Sequence, residues 1–391
     1  MNPKVLFLTL NMFGFTGGIE KVCQIFGKVL TDMSLKLGAI QVYSLYDKPA
    51  DHDSKYICRS SFRAFRSNRF RFGISSMLMG IRSDIVVMSH VNLSIAALLI
   101  KTLSPKTRII LYAHGTEVWE NLPWWKSAFL RKYCEVWAVS EFTAEKLREF
   151  KNANPEKIRI LPNCLDPFLK IPSTFSKPGN LLKRYQLAAD QPVLFTLGRL
   201  LSNASYKGTD RIIENLAELI KLYPNIRFLV AGKGGKEKAR LEELVNNLEL
   251  AEHVIFTGFI PDEELSDYFR LADIFIMPSQ KEGFGIVFIE AAACGCKVIG
   301  GNQDGSRQAL LDGKLGTLIH PEKKEELLKA IKENLENLRS ENSSRKIQSM
   351  CLEHFNYDQY LKQVQGLLLN ELILRSRPVS VEAIQAMKLL L

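Results

Sequence analysis

No C-x-x-C pair occurs in the sequence. Its seven cysteines, Cys23, Cys58, Cys134, Cys164, Cys294, Cys296 and Cys351, are scattered and odd in number. That argues against a disulfide scaffold and fits reduced thiols. Cys294-x-Cys296 is too isolated for a zinc site and reads as buried thiols on a helix. There is no low-complexity tract and no solenoid-type repeat. No apolar run reaches the ~20 residues that a bilayer span needs; the longest, Ile85–Ile100, is broken by Ser89, His90, Asn92 and Ser94. No signal-peptide pattern opens the chain, since Lys4 precedes only Val5–Leu10, which reads as a first strand. The expectation is a cytoplasmic protein, soluble or peripheral on the inner face of the cell membrane.

What is present is ordinary for a folded chain. Hydrophobic residues make up 46% and charged residues 24%, so disorder and coiled-coil readings fall away. The 391 residues exceed one typical domain of about 100–200 residues. Lys and Arg number 52 against 42 Asp and Glu, a net charge of +10. Such a surface attracts polyanions, whether nucleic acid, anionic membrane or phosphate-bearing ligands.

Short β-branched runs alternate with helical periods. Strands are predicted at Val5–Leu10, Ile40–Tyr46, Ile85–Met88, Arg108–Ala113, Glu135–Val139 and Ile158–Leu161. Asp166–Lys183, with Pro167, Pro172, Pro178 and Gly179, interrupts the pattern and reads as a linker. The alternation restarts at Val193–Leu197, Ile226–Ala231, His253–Thr257, Ile274–Met277, Lys297–Ile299 and Gly316–Ile319. This predicts an α/β fold of two doubly wound, Rossmann-like domains facing across a cleft, with ligands at the carboxyl ends of the strands. The expected division is 1–172 for an acceptor-binding domain, 173–352 for a nucleotide-sugar-binding domain, and 353–391 for a helical tail able to cross back to the first.

The second half carries the chemistry. A strand ends in Gly198-Arg199, and Lys207-Gly208 follow eight residues later. An Arg fork and a Lys point charge there can both reach a diphosphate. Gly232, in Ala231-Gly-Lys-Gly-Gly235, suggests backbone approach to a nucleotide, but G-x-G-x-x-G is not completed, so a dehydrogenase reading is weak. Pro278-Ser-Gln-Lys-Glu-Gly-Phe-Gly-Ile286 then leads into a helix that carries Glu290. Gly283 and Gly285 leave amides open at the helix start, where the dipole favours anions. Glu282 and Glu290 suit sugar hydroxyls, because a carboxylate accepts their hydrogen bonds.

Glu282-Gly-Phe-Gly-x4-Glu290, preceded by Gly198-Arg199 and Lys207-Gly208, resembles the retaining glycosyltransferases of family four, with the GT-B fold. The resemblance covers most of the chain and is strongest from Val193 to Pro321. It implies that Arg199 and Lys207 bind the donor diphosphate, Glu290 the ribose and Glu282 a hydroxyl of the transferred sugar. It places the backbone from Phe284 to Ile286 against sugar and phosphate, and Phe259-Ile260 beside the base. Gly17 and Gly18 would sit beside the donor phosphate, their alternative being a tight strand–helix turn. His114 would lie near the reacting carbon, its alternative being structural, with Glu117 a weaker candidate. No metal and no cofactor are implied; Asp51-His-Asp53 reads as a decoy of a metal motif.

The implied activity moves a hexose from a nucleotide-diphosphate sugar to an acceptor hydroxyl, in polysaccharide or glycolipid synthesis. GDP-mannose is favoured because Gly301-Asn-Gln-Asp-Gly-Ser306 resembles mannosyltransferases of surface-polysaccharide pathways that act on lipid-linked acceptors. UDP-glucose and UDP-N-acetylglucosamine are the alternatives, as is a non-catalytic basic protein that binds membrane or nucleic acid; nucleic acid is not the expected partner. Arg59–Phe72 interleaves arginine with phenylalanine, and Trp119–Trp125 precedes Lys126, Arg131 and Lys132. Both stretches suit an anionic membrane surface.

Overall fold

The structure, a computed structural model, describes residues 2–200, 205–337 and 340–376. The amino-terminal half contains β1 (Lys4–Thr9), β2 (Ala39–Ser44), β3 (Phe62–Ala64), β4 (Ile85–Met88), β5 (Arg108–Ala113), β6 (Cys134–Ala138) and β7 (Ile158–Ile160). Its helices are α1 (Gly18–Asp32), α2 (Arg69–Gly80), α3 (Ser94–Leu103), α4 (Trp124–Tyr133) and α5 (Glu141–Glu149). After the short α6 (Gly179–Arg184), the second half contains β8 (Val193–Leu197), β9 (Arg227–Ala231), β10 (Val254–Gly258), β11 (Ile274–Met277), β12 (Lys297–Gly301) and β13 (Thr317–Ile319). Between and after them run α7 (Thr209–Ile220), α8 (Lys236–Asn247), α9 (Asp262–Leu271), α10 (Ile286–Ala293), α11 (Ser306–Ala309), α12 (Lys324–Glu336), α13 (Glu341–Phe355) and α14 (Tyr357–Ser376).

The strands form two sheets, ordered β3-β2-β1-β4-β5-β6-β7 and β10-β9-β8-β11-β12-β13. Every strand pair is parallel. Parallel strands need crossovers, and helices on both faces bury them completely, which is why β4, β11 and, after Arg108, β5 are apolar without alternation. The order reverses between β1 and β4 in one sheet and between β8 and β11 in the other. At those points adjacent strands send their connections to opposite faces, leaving a crevice at the carboxyl ends. This is the expected GT-B architecture.

Helix α1 ends at Asp32, and a short 3-10 turn covers Ser34–Lys36. The arginine–phenylalanine stretch contains the unforeseen edge strand β3, paired to β2. Phe62, Phe65 and Phe72 are buried, whereas Phe70 is exposed. Trp119 is likewise buried and Trp124 is exposed. The interleaving is therefore mostly core packing with a solvated arginine face, and only part of each stretch is surface. Among the described residues, no helix is long and apolar enough to cross a membrane.

The carboxy-terminal helix returns to the first sheet. Tyr360 on α14 hydrogen-bonds Tyr112 of β5 at 2.9 Å, and Val364 and Leu368 are buried. The Arg108 guanidinium donates to the carbonyls of Leu367 and Leu368 at 2.9 and 3.0 Å. It also pairs with Glu135 at 2.5 Å, and both side chains are under 10% exposed. The other Glu135 oxygen accepts the Trp137 indole N–H. The expected tail 353–391 extends beyond this helix, and residues 377–391 lie outside the described residues.

Candidate functional site

The site forms where the two switch points face each other. In the second sheet, β8 ends at Gly198-Arg199, β9 at Gly232, and β10 at Gly258 before Phe259. Backbone hydrogen bonds join these ends: Gly198 N–H donates to Ala231 and Gly232 N–H to Gly258. Gly232 holds a positive φ of 153°, and a β-carbon there would fall 1.8 Å from the Gly198 carbonyl oxygen. Only glycine lets the two turns approach this closely. Phe259 is exposed at the rim, whereas the Ile260 side chain is buried in the core and can offer only backbone.

Lys207 packs over Gly198, and its ammonium donates to Glu282 at 2.8 Å; both side chains are less than one-fifth exposed. Burial alone lowers the Lys207 pKa, but the Glu282 charge, Tyr206 and the Glu282 hydrogen bond together outweigh it and hold the ammonium above its ordinary value. The Tyr206 carbonyl accepts Gln280 N–H, which clips the 205–208 turn to the loop after β11. That loop is braced from β12: Asp304 accepts the Glu282 N–H at 2.7 Å and the Ser306 N–H at 2.9 Å. Burial raises the Asp304 pKa to about 7.

Gly285 caps α10 with φ 83°, a left-handed value that side chains resist. The opening amides of a helix lack intrahelical partners, so Ile286 begins a positive helix end aimed at the cleft. The Phe284 ring is buried against Phe355, leaving its backbone at the cleft. Glu290, one turn into α10, is 5% exposed. Burial pushes its pKa to about 8; Lys21 opposes this, while Asp262 and Asp166 reinforce it.

The first sheet supplies the opposite wall. After β1, the buried Asp47 accepts the N–H groups of Met12, Phe13 and Gly14 and so shapes the loop that leads to Gly17 and Gly18. Open space surrounds Gly18, and Arg199 Nη1 lies 3.7 Å from where a Gly17 β-carbon would be. The glycine loop and the β8 arginine thus meet across the cleft. After β5, a Gly283 β-carbon would fall 1.7 Å from the His114 carbonyl oxygen, so the two half-sites touch at glycine. Ser140 donates to the Gly283 carbonyl at 2.6 Å from the same wall.

The His114 ring packs against Tyr112 with ring centres 4.7 Å apart and planes tilted by 31°, and neither ring nitrogen makes a hydrogen bond of normal geometry. Burial, reinforced by His90, lowers its pKa to about 3, with the Ser89 backbone opposing weakly. The imidazole is therefore neutral near pH 7. Glu117 accepts the His114 N–H at 2.5 Å, which makes it a clamp on this turn; burial raises its pKa.

Sequence reasoning missed several residues. Lys21 on α1 pairs with Asp166 of the connection at 2.9 Å and with Asp262 at the start of α9 at 2.5 Å, a clasp across the cleft beside Glu290. Tyr56 donates to the same Asp166 oxygen. His90 closes β4 at the switch point, and its only sequence signal was a polar break in an apolar run. Asp304 lay inside a motif read only for donor preference. Asp51 and Asp53 accept local amides, from Lys48 and Lys55 respectively, and His52 shares a hydrogen bond with the Ile57 carbonyl. Among the described residues, no group of three or more His, Cys, Asp or Glu is arranged to hold a metal. Cys294 and Cys296 are buried.

Two family descriptions match in tandem: Glycosyltransferase Family 4 over residues 16–167 and Glycosyl transferases group 1 over residues 180–349. A GDP-mannose-dependent alpha-(1-6)-phosphatidylinositol monomannoside mannosyltransferase of Mycolicibacterium smegmatis is 34% identical over 224 residues, 54% of this chain and 56% of that protein. A D-inositol 3-phosphate glycosyltransferase of Acidothermus cellulolyticus is 30% identical over 184 residues, 45% of this chain and 40% of that protein. The chain thus spans about half the length of these curated relatives. Among solved structures, Anabaena HepE in complex with UDP and glucose superposes with a TM-score of 0.77 at 18% identity, covering 94% of this chain and 99% of that one. With both tandem domains matched and the two facing sheets in place, the chain belongs to the GT-B glycosyltransferases, a family 4 domain followed by a group 1 domain.

Proposed function

We propose that the chain transfers a hexose, mannose by preference, from a nucleotide-diphosphate sugar to an acceptor hydroxyl with retention of configuration. The observation that carries this reading is the half-buried Lys207–Glu282 pair, next to which Gly283 meets the His114 carbonyl across the cleft. Arg199 and Lys207 hold the diphosphate with the opening amides of α10. Glu282 accepts a hydroxyl of the sugar, Glu290 accepts the ribose hydroxyls, and Phe259 flanks the base. Gly17 and Gly18 admit the phosphate and acceptor. The acceptor hydroxyl attacks the anomeric carbon from the face that the diphosphate leaves. The carbon–oxygen bond to phosphate breaks, and the departing phosphate oxygen takes the hydroxyl proton. The neutral His114 ring offers a lone pair to the developing oxocarbenium charge without adding a cation beside it. Two cations and a helix end supply the leaving-group stabilisation that a divalent ion provides elsewhere, so the reaction is proposed to proceed without metal.

Donor preference for GDP-mannose draws on the mannosyltransferase relative, and UDP-glucose is the alternative suggested by the HepE complex. The proposed acceptor is a lipid-linked glycan, which places the chain peripherally on the inner face of the cell membrane. The test is transfer from each donor in EDTA to an alkyl-glycoside acceptor, with the product anomer assigned by NMR. GDP release with an α-linked product from the α-donor is expected. UDP release instead would change the donor, an inverted product would overturn the mechanism, and no release with any donor would overturn the function.

A pH signature follows from Glu290. With a pKa of about 8, the side chain is mostly protonated at pH 7, whereas ribose hydroxyls are best accepted by the carboxylate. Nucleotide affinity should therefore rise with pH, by about eightfold between pH 7 and 8.5. Glu290→Gln should flatten the rise. Lys21→Ala should move it to higher pH, because the Lys21 charge favours the carboxylate. Calorimetric titration with GDP at several pH values checks this; equal slopes in wild type and Glu290→Gln would exclude the assignment.

A further inference from the structure

The positive excess of this protein lies in one segment. Residues 54–134 hold thirteen Lys and Arg against three Asp and Glu, a net +10 equal to that of the whole chain. The other 310 residues balance to zero. Of the three acids, Glu117 is the clamp on the His114 turn, and Asp84 accepts the Lys4 N–H. Neither therefore serves as a partner for the surface arginines.

The same segment contains α2, α3 and α4, which pack side by side. Gly80 of α2 lies against Ile100 of α3, so close that a β-carbon would meet that side chain at 2.3 Å. Each helix buries one face there and leaves an apolar stripe on the other. On α2 the exposed stripe is Phe70, Ile74 and Leu78, and on α3 it is Ile95, Leu99 and Leu103. Both follow i, i+4, i+8 spacing, so each is one continuous helix face. Trp124, 83% exposed, opens α4 beside them. Half of the exposed large apolar side chains among the described residues fall between Phe70 and Trp124. Arg66, Arg69, Arg71 and Arg82 rim the stripe and are exposed.

We propose that the α2–α3–α4 face is a docking surface for an anionic lipid bilayer. Aliphatic side chains and a tryptophan partition into the interfacial layer, while arginines meet headgroup phosphates. Nucleic acid would need aromatic platforms or a basic groove, and Ile74, Leu78, Ile95 and Leu99 offer bases no stacking surface. The face also has a position that suits the chemistry. Trp124 and His114 belong to the same β5–α4 connection, so seating this face on a membrane brings the acceptor wall of the cleft to the lipid. For that use the inference rests on the proposed lipid-linked acceptor; binding itself does not.

The test is sedimentation of the full chain with phosphatidylcholine vesicles, with and without phosphatidylglycerol at about one-third, in low and high salt and without donor. The expected result is binding to the anionic vesicles that weakens with salt. Ile95→Glu/Leu99→Glu and Arg69→Glu/Arg71→Glu should each reduce it at least tenfold. Because all four side chains are exposed, melting temperature and transfer to a soluble alkyl-glycoside should stay unchanged. That soluble assay separates failure of this inference from failure of the function. Equal binding by the variants, equal binding to neutral vesicles, or no vesicle binding would overturn the proposal. So would loss of a wild-type dimer in the Ile95→Glu/Leu99→Glu variant, which would assign the stripe to a second copy of the chain.

Discussion

Lys207→Ala is expected to lower kcat by about 100- to 1,000-fold, the range found when one preorganised charge-stabilising group is removed from a reacting centre. Lys207 is half-buried, held by Glu282 and packed on Gly198, so its ammonium needs little reorganisation when charge develops on the leaving diphosphate. Negative charge on that oxygen grows from donor to transition state. The loss should therefore fall mainly on kcat, with a smaller rise in KM. Arg199→Ala should act in the same direction, its guanidinium standing beside Gly17 on the opposite wall. Lys207→Ala also leaves the Glu282 carboxylate without its partner, so Lys207→Ala/Glu282→Gln separates charge loss from an unpaired acid. Steady-state kinetics at saturating donor, with melting temperature as the folding control, decide the matter. A folded Lys207→Ala enzyme with kcat within threefold of wild type would show that another group carries the leaving charge.

Arg108→Ala is expected to destabilise the protein by about 3–5 kcal/mol, because it strands a buried carboxylate. Glu135 would keep only the Trp137 indole N–H, and two carbonyls of α14 would lose their second donor. At roughly 2–4 °C per kcal/mol for a large domain, the melting temperature should fall by about 6–20 °C. Arg108→Met/Glu135→Gln should recover most of that fall, since removing both charges also removes the cost of burying them. A drop of only a degree or two in Arg108→Ala would mean that α14 docks without this pair. The expectation bears on function as well as stability: the pair anchors the terminal helix onto β5, the strand that leads into His114.

Strand positions in this family member are legible because a parallel strand buried on both faces must be a short apolar run. Ile85–Met88, Arg108–Ala113, Val193–Leu197 and Ile274–Met277 match their predicted bounds. The edge strand β3 is not legible. It is three residues long, pairs on one side only, and carries Arg63 between Phe62 and Ala64. The same stretch misleads about exposure, since alternation of Arg and Phe reads as a mixed surface until pairing assigns one face inward.

The candidate site divides in the same way. Gly198-Arg199, Lys207-Gly208 and Glu282–Glu290 lie within one domain, and their types and spacing mark the carboxyl ends of adjacent strands. The sequence alone determined that alternation, the switch-point chemistry and the family resemblance, because each is encoded over a few neighbouring residues. Only the tertiary structure decided that Lys207 is neutralised by Glu282, 75 residues away, and that Lys21 clasps Asp262, 241 residues away. It also decided that Gly283 meets the His114 carbonyl and that two helix stripes merge into one basic-rimmed face. These are properties of side chains brought together by packing, and the burial that shifts their pKa values exists only after the two sheets have closed on each other.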